Sequence, residues 1–194
     1  MAANEQGAGL VGWLARLRAE RARAATARTL YLAVVARARR PEPYAAMGVP
    51  DTPDGRFEMI GLETALVLRR LRGLGEEGER LGRALLEVMV SDLDRNLREM
   101  GIGDLSVGRW VKRMTASVLA RAALLDEALA RRDRAGLVSL LARAFFPEGP
   151  PTSARLDELA AEVEAAAVRL ERVPAAALLA GRLEEPELRG RESR

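Results

Sequence analysis

Apolar residues recur at intervals of three and four along most of this chain, and that period admits helices and little else. A strand needs apolar residues at every second position, and no stretch of useful length shows them. In 76–100, Leu81, Leu85, Val88, Met89, Leu93 and Leu97 share one face. In 105–131, Val107, Val111, Met114, Val118, Leu125 and Leu129 do the same. Proline and glycine punctuate the period. Pro41 and Pro43, Gly73 and Gly75, Gly101 and Gly103, and Pro147–Pro151 mark the breaks.

The period predicts helices over 9–19, 20–40, 55–72, 76–100, 105–131, 134–146 and 154–172, with another turn or two in 174–183. Asp54 is the expected N-cap of the third. Gly101 is expected to close 76–100 in the left-handed conformation, and Asp104 or Ser106 to cap the helix that follows. Asp133 and Ser153 fit the starts of the later helices. The 55–72 segment is apolar on more than one side (Phe57, Met59, Ile60, Leu62, Leu66, Val67, Leu71), so it should be central. The expected fold is all-α, a single-domain bundle of about six to eight helices with short connections. Within it, 1–40 are basic amphipathic N-terminal helices, 41–146 the helical core, 147–183 a C-terminal helical extension and 184–194 a disordered tail.

Composition then prunes the functions. The chain has no Cys and no His. Disulfides, thiolate nucleophiles, the common zinc sites, imidazole haem ligation and Ser-His-Asp triads are excluded. Lys112 is the one lysine among 31 basic residues. The Ala/Arg bias fits a GC-rich genome and favours a bacterial protein. Aromatics are only 4% of the residues, so Leu, Val, Ala and Met must fill the core. Charge is uneven. Residues 1–40 carry eight arginines against Glu5 and Glu20, a balance of +6, leaving −3 for the rest of a chain whose total is +3. With Trp13, Arg16 and Arg18, such an arm could rest on an anionic membrane surface. No apolar run approaches the ~20 residues of a membrane-spanning helix, and the opening lacks a secretory apolar region.

The richest segment is 91–114. Asp92, Arg95 and Glu99 lie on one side of a helix, and Asp94 and Arg98 are i, i+4 partners beside them. Asp92 and Asp94 face different ways, so a solvated or ion-paired face explains them better than a metal site. Gly101-Ile102-Gly103 follows a helix, not a strand, and does not make a phosphate loop. Arg109, Lys112 and Arg113 are too few for a nucleic-acid footprint on an acidic body.

The stretch 44–114 resembles the ubiquinol–cytochrome c reductase chaperone family, the cytochrome b assembly chaperones. The resemblance rests on Tyr44, Gly48-Val49-Pro50-Asp51, Asp54-Gly55-Arg56-Phe57-Glu58-Met59, Leu68-Arg69-Arg70-Leu71, Asp92–Asp104, Val107 and Val111-Lys112-Arg113-Met114. It implies a helical protein without catalysis, cofactor or metal. Such a protein binds newly made cytochrome b until respiratory complex III assembles, acting with a small helper protein and near the ribosome in mitochondria. The partner-binding candidates are Tyr44, Asp54, Arg56, Phe57, Asp92, Asp94, Arg98, Glu99, Asp104 and Lys112. The five methionines Met47, Met59, Met89, Met100 and Met114 fall inside this stretch and suit an adaptable apolar surface. The expected location is the cytoplasm, peripheral on the inner membrane, or the matrix side in a eukaryote. Two alternatives remain. One is a helical-bundle enzyme acting on a lipid-like substrate through Asp92, Glu99 and Lys112. The other is a peripheral membrane or nucleic-acid adaptor acting through residues 9–40.

Overall fold

The computed structural model describes residues 3–101, 103–150 and 153–183, with the side chains of 3–12, 104, 105, 153 and 154 left aside. The tail expected to be disordered, 184–194, lies outside the described residues. Eight helices follow one another: α1 (Ala3–Ala38), α2 (Glu42–Ala45), α3 (Pro53–Arg72), α4 (Gly75–Glu99), α5 (Asp104–Arg131), α6 (Arg134–Phe145), α7 (Ser153–Arg172) and α8 (Ala175–Leu179). There is no strand among the described residues.

Helix α3 runs through the middle and touches α1, α4, α5, α6 and α7. That is why Ala65, Leu66, Val67 and Leu68 can all be buried in succession. A helix with neighbours on every side has no solvent face to keep polar. The main core gathers Leu30 and Val34 of α1, Leu66 and Leu71 of α3, Leu85 and Met89 of α4, Leu125 of α5, Leu137 and Leu141 of α6, and Leu159, Val163 and Leu170 of α7. A second, smaller cluster sits where α4 runs into α5. It holds Leu93, Leu97 and Val107, with Val111 and Met114 packed against it. Phe57 of α3 packs on both clusters and joins them.

The first two predicted helices are one. Helix α1 runs for 36 residues, about 54 Å at the α-helical rise. Its first buried residue among those described is Ala27. The stretch before it, with Arg16, Arg18, Arg21 and the 55% exposed Trp13, therefore projects beyond the bundle. No described helix is long and apolar enough to cross a membrane.

Arginines of the Leu68-Arg69-Arg70-Leu71 motif hold helices together. Arg69 pairs with Asp126 of α5 and, at 2.7 Å, with Glu171 of α7. Arg70 donates to the carbonyls of Leu170 and Val173 at the end of α7. The Leu170 carbonyl, which also accepts from the Val173 amide at 3.2 Å, and the Val173 carbonyl just past the helix lie at its C-terminal end, where a cation complements the helix dipole.

The caps hold two corrections. Asp133 accepts from the Gly136 amide at 2.8 Å and starts α6, and Gly101 takes φ +81° just past α4. Asp54, however, is not the N-cap of α3. Thr52 is: its hydroxyl accepts from the Gly55 amide at 3.1 Å. Pro53 then occupies the first helical position, where its missing N–H costs nothing, and Asp54 sits in the first turn. Neither Asp104 nor Ser106 is the N-cap of α5: Gly103 is, with no side-chain bond, and both residues lie inside the first turn of the helix; the Asp104 side chain lies outside the described residues. Thr52→Ala should cost about 1 kcal/mol and Asp54→Ala about 0.5 kcal/mol through the dipole alone. Urea unfolding of the two variants side by side measures the difference.

Candidate functional site

An open cleft lies where the start of α3, the middle of α5 and the end of α6 meet. Its volume is about 710 Å³, within the range of ligand and peptide sites. Three features of the chain build it. Pro50 and Thr52 hold the loop that leads into α3 as one wall. Helix α5 supplies a row one turn apart, Arg113, Ser117 and Arg121, with Trp110 and Met114 beside it. Helix α6 ends in Phe145-Phe146, and Pro147 turns the chain so that Glu148 and Gly149 reach the mouth.

The chain has only three Phe, two Tyr and two Trp. Phe57, Phe145, Phe146 and Trp110 all line this cleft. Trp110 stays 41% exposed, with the guanidinium of Arg113 4.0 Å from its ring centre. Such stacking is electrostatically favourable and holds the indole in place. Trp110 and Arg113 are exposed, Phe57 and Met114 half-buried, and Phe145 and Phe146 buried behind them; aromatic, Met and Arg side chains together are the composition of a protein-interface core.

The cleft is not electrically uniform. Deeper in, Glu58 pairs with Arg121 at 2.7 Å. Burial pushes the Glu58 carboxyl above its ordinary range, Arg121 opposes that shift, and the charge of Asp54 adds to it. Asp54 and Glu148 lie at the mouth, and neither forms an ion pair among the described residues.

The residues proposed from sequence fall into three groups. Asp54 and Phe57 line the cleft. Arg56, Asp94, Arg98, Glu99 and Lys112, on α3, α4 and α5, do not line it, and all but Asp94 are largely exposed. Arg56 pairs with Asp51 at 2.6 Å, and Arg98 with Asp94 at 2.7 Å. The third group faces inward. The Tyr44 hydroxyl donates to the Ala38 carbonyl at 2.6 Å and fastens the proline-rich loop to the end of α1. Asp92 accepts from the Tyr31 hydroxyl at 2.8 Å and pairs with Arg95, so it joins α4 to α1. Met59 and Met89 are core residues, Met47 and Met114 are half-buried, and Met100 is 61% exposed at the α4–α5 turn. Trp110, Phe145 and Phe146 escape a sequence reading. Their signal was the scarcity of aromatics, which makes each one informative.

Burial and the Asp92 hydrogen bond raise the Tyr31 hydroxyl pKa above the ordinary tyrosine range. Native Tyr31 therefore keeps its proton above pH ~10, where the unfolded phenol loses it. Its contribution is complete below that pH and is lost as pH rises further. Tyr31→Phe should cost about 1.5 kcal/mol at neutral pH and flatten the alkaline fall of stability, as denaturant titrations at two pH values would show.

Asp92 borders the groove between α1 and α4, and the aromatic-lined cleft takes in none of Asp92, Glu99 and Lys112. Among the described residues no three acidic side chains gather where they could hold a metal ion.

The fold and the site define an all-helical bundle protein with an open, aromatic-lined cleft. Residues 45–185 match the family described as Ubiquinol-cytochrome C chaperone. The chain superposes on the crystal structure of the Cbp3 homolog from Brucella abortus with a TM-score of 0.77 and 30% identity, over 91% of this chain and 97% of that one. The chain belongs to the ubiquinol–cytochrome c chaperone family. The match takes in α7 and α8, well beyond the 44–114 stretch in which the resemblance is legible. No curated protein matches the chain.

Proposed function

We propose that this chain is an assembly chaperone that binds newly made cytochrome b and supports biogenesis of ubiquinol–cytochrome c reductase. The observation that carries the reading is the aromatic-lined cleft between the start of α3, the middle of α5 and the end of α6, in a member of this family. A chaperone for a membrane protein must offer apolar surface without burying it in its own core. Trp110 does that, with the half-buried Phe57 and Met114 beside it and Asp54 on the cleft wall; Arg56, Asp94, Arg98, Glu99 and Lys112 would supply polar contacts from the faces of α3, α4 and α5 outside the cleft. Tyr44 and Asp92 contribute by fixing the loop and the helix that carry this surface. Binding requires no cofactor and no catalytic group.

Affinity purification of the tagged chain from detergent-solubilised membranes should recover cytochrome b. Deleting the gene should lower cytochrome b and complex III activity together, and normal levels of both would sink the proposal. A ribosome or a small helper protein would appear in the same purification. The projecting half of α1 fits an anionic membrane face, since Trp13, Arg16 and Arg18 are exposed with no core to serve. Replacing Trp13, Arg16 and Arg18 together should reduce sedimentation with phosphatidylserine vesicles. Unchanged sedimentation would remove the membrane contact and leave the chaperone reading intact.

A further inference from the structure

The cleft has a floor and a mouth of different chemistry. The floor is the half-buried Phe57 and Met114 backed by the buried Phe145 and Phe146, with the exposed Trp110 along one side. Glu58 and Arg121 neutralise each other, and the guanidinium of Arg113 lies over the Trp110 ring and keeps its positive charge, so the lining of two arginines and three carboxylates has a balance of −1. The carboxylates of Asp54 and Glu148 remain at the mouth, on two different walls. They stand on a body whose balance without the first forty residues is −3.

A partner complementary to this surface is apolar over a few side chains and then cationic. A soluble amphipathic helix carries its charges along its length and would bring carboxylates with them. The end of a membrane-spanning segment differs. Its apolar stretch stops abruptly, and on the cytoplasmic side the flank is enriched in Lys and Arg. We infer that the cleft takes the juxtamembrane end of a transmembrane segment, its last apolar side chains on the aromatic floor and its basic flank between Asp54 and Glu148. The inference rests on the reading of this chain as a chaperone for a membrane protein and says which part of the client it holds.

Two fluorescein-labelled peptides with one Leu/Phe-rich core test it, one ending in paired arginines and the other in paired glutamates. Anisotropy titration of the full chain should show the Arg-flanked peptide binding roughly fivefold tighter at low salt, the scale of two exposed charge contacts. The double variant Asp54→Lys with Glu148→Lys should invert that preference. Trp110→Ala should weaken both peptides alike, by about tenfold. Melting curves confirm that the variants are folded; both mouth residues are exposed, so their side chains fill no core. Equal binding of the two peptides would overturn the inference, and so would an unchanged preference in the reversed variant. A dimer in light scattering that Trp110→Ala dissolves would give the cleft to a second copy, and would also overturn it. Loss of the peptide preference with cytochrome b still co-purifying fails this inference alone. A preserved preference with no cytochrome b recovered fails the choice of client.

Discussion

Glu63→Ala should destabilise the fold by about 3–5 kcal/mol, the usual cost of orphaning one half of a buried ion pair. Glu63 is 3% exposed in the middle of α3. Arg37 of α1 donates to it at 2.9 Å, and Arg40 lies 3.8 Å away. Arg40 also reaches Glu162 of α7, which pairs with Arg169. One chain of charges thus links α1, α3 and α7. Removing the Glu63 carboxylate leaves the Arg37 guanidinium largely buried, with one of its nitrogens already lacking a hydrogen-bond partner. Desolvation is then uncompensated. Glu63→Gln keeps an acceptor but loses the charge and should fall between the two. Replacing Glu63 and Arg37 together by methionine should cost far less than Glu63→Ala, because no charge is left behind. Chemical denaturation of the three variants measures this. If the double variant is as unstable as Glu63→Ala, the damage is to packing and the ion pair is not its cause.

This pair shows where sequence reasoning stops. The period of three and four located the helices because helical side chains must match their local environment every turn. It also marked α3 as central, through Phe57, Ile60, Leu62 and Leu66. What it could not show is which charge enters the core, because Glu63 and Arg37 are 26 residues apart and meet only through the packing of α1 on α3. Asp92 failed in the same way. Its i, i+3 partner Arg95 was legible, but its bond to Tyr31 spans 61 residues, and that bond turns an apparent surface acid into a link between helices. The misplaced cap of α3 was a local error with a local signal. The order Thr52-Pro53-Asp54 places the proline where a first helical residue goes, and the hydroxyl one position earlier was the better cap. The cleft was half legible. Phe57 and Asp54 were singled out, while Trp110, Phe145 and Phe146 come from two other helices whose meeting no spacing records.

The wall of that cleft depends on one residue without a side chain. In Gly55, a Cβ would lie 2.0 Å from the Pro50 carbonyl oxygen and 3.0 Å from its carbon. Both are backbone atoms of the loop leading into α3, so no rotamer change relieves the overlap. Gly55→Ala should therefore force that loop outward, break the Thr52 cap, and cost about 3 kcal/mol, the upper end of an ordinary overpacking penalty. Gly61→Ala is the control on the same helix. Its Cβ would meet only the Val118 side chain, at 3.2 Å, and a small shift accommodates it, so the expected cost is about 1 kcal/mol. The two variants also separate stability from function. Gly55→Ala moves Pro50 and Thr52, which line the cleft, and displaces Asp54 from its mouth. At a temperature where both variants are fully folded, it should lose most binding of the Arg-flanked peptide while Gly61→Ala retains it. Equal binding by both would mean that the loop plays no part in the surface that α5 and α6 present.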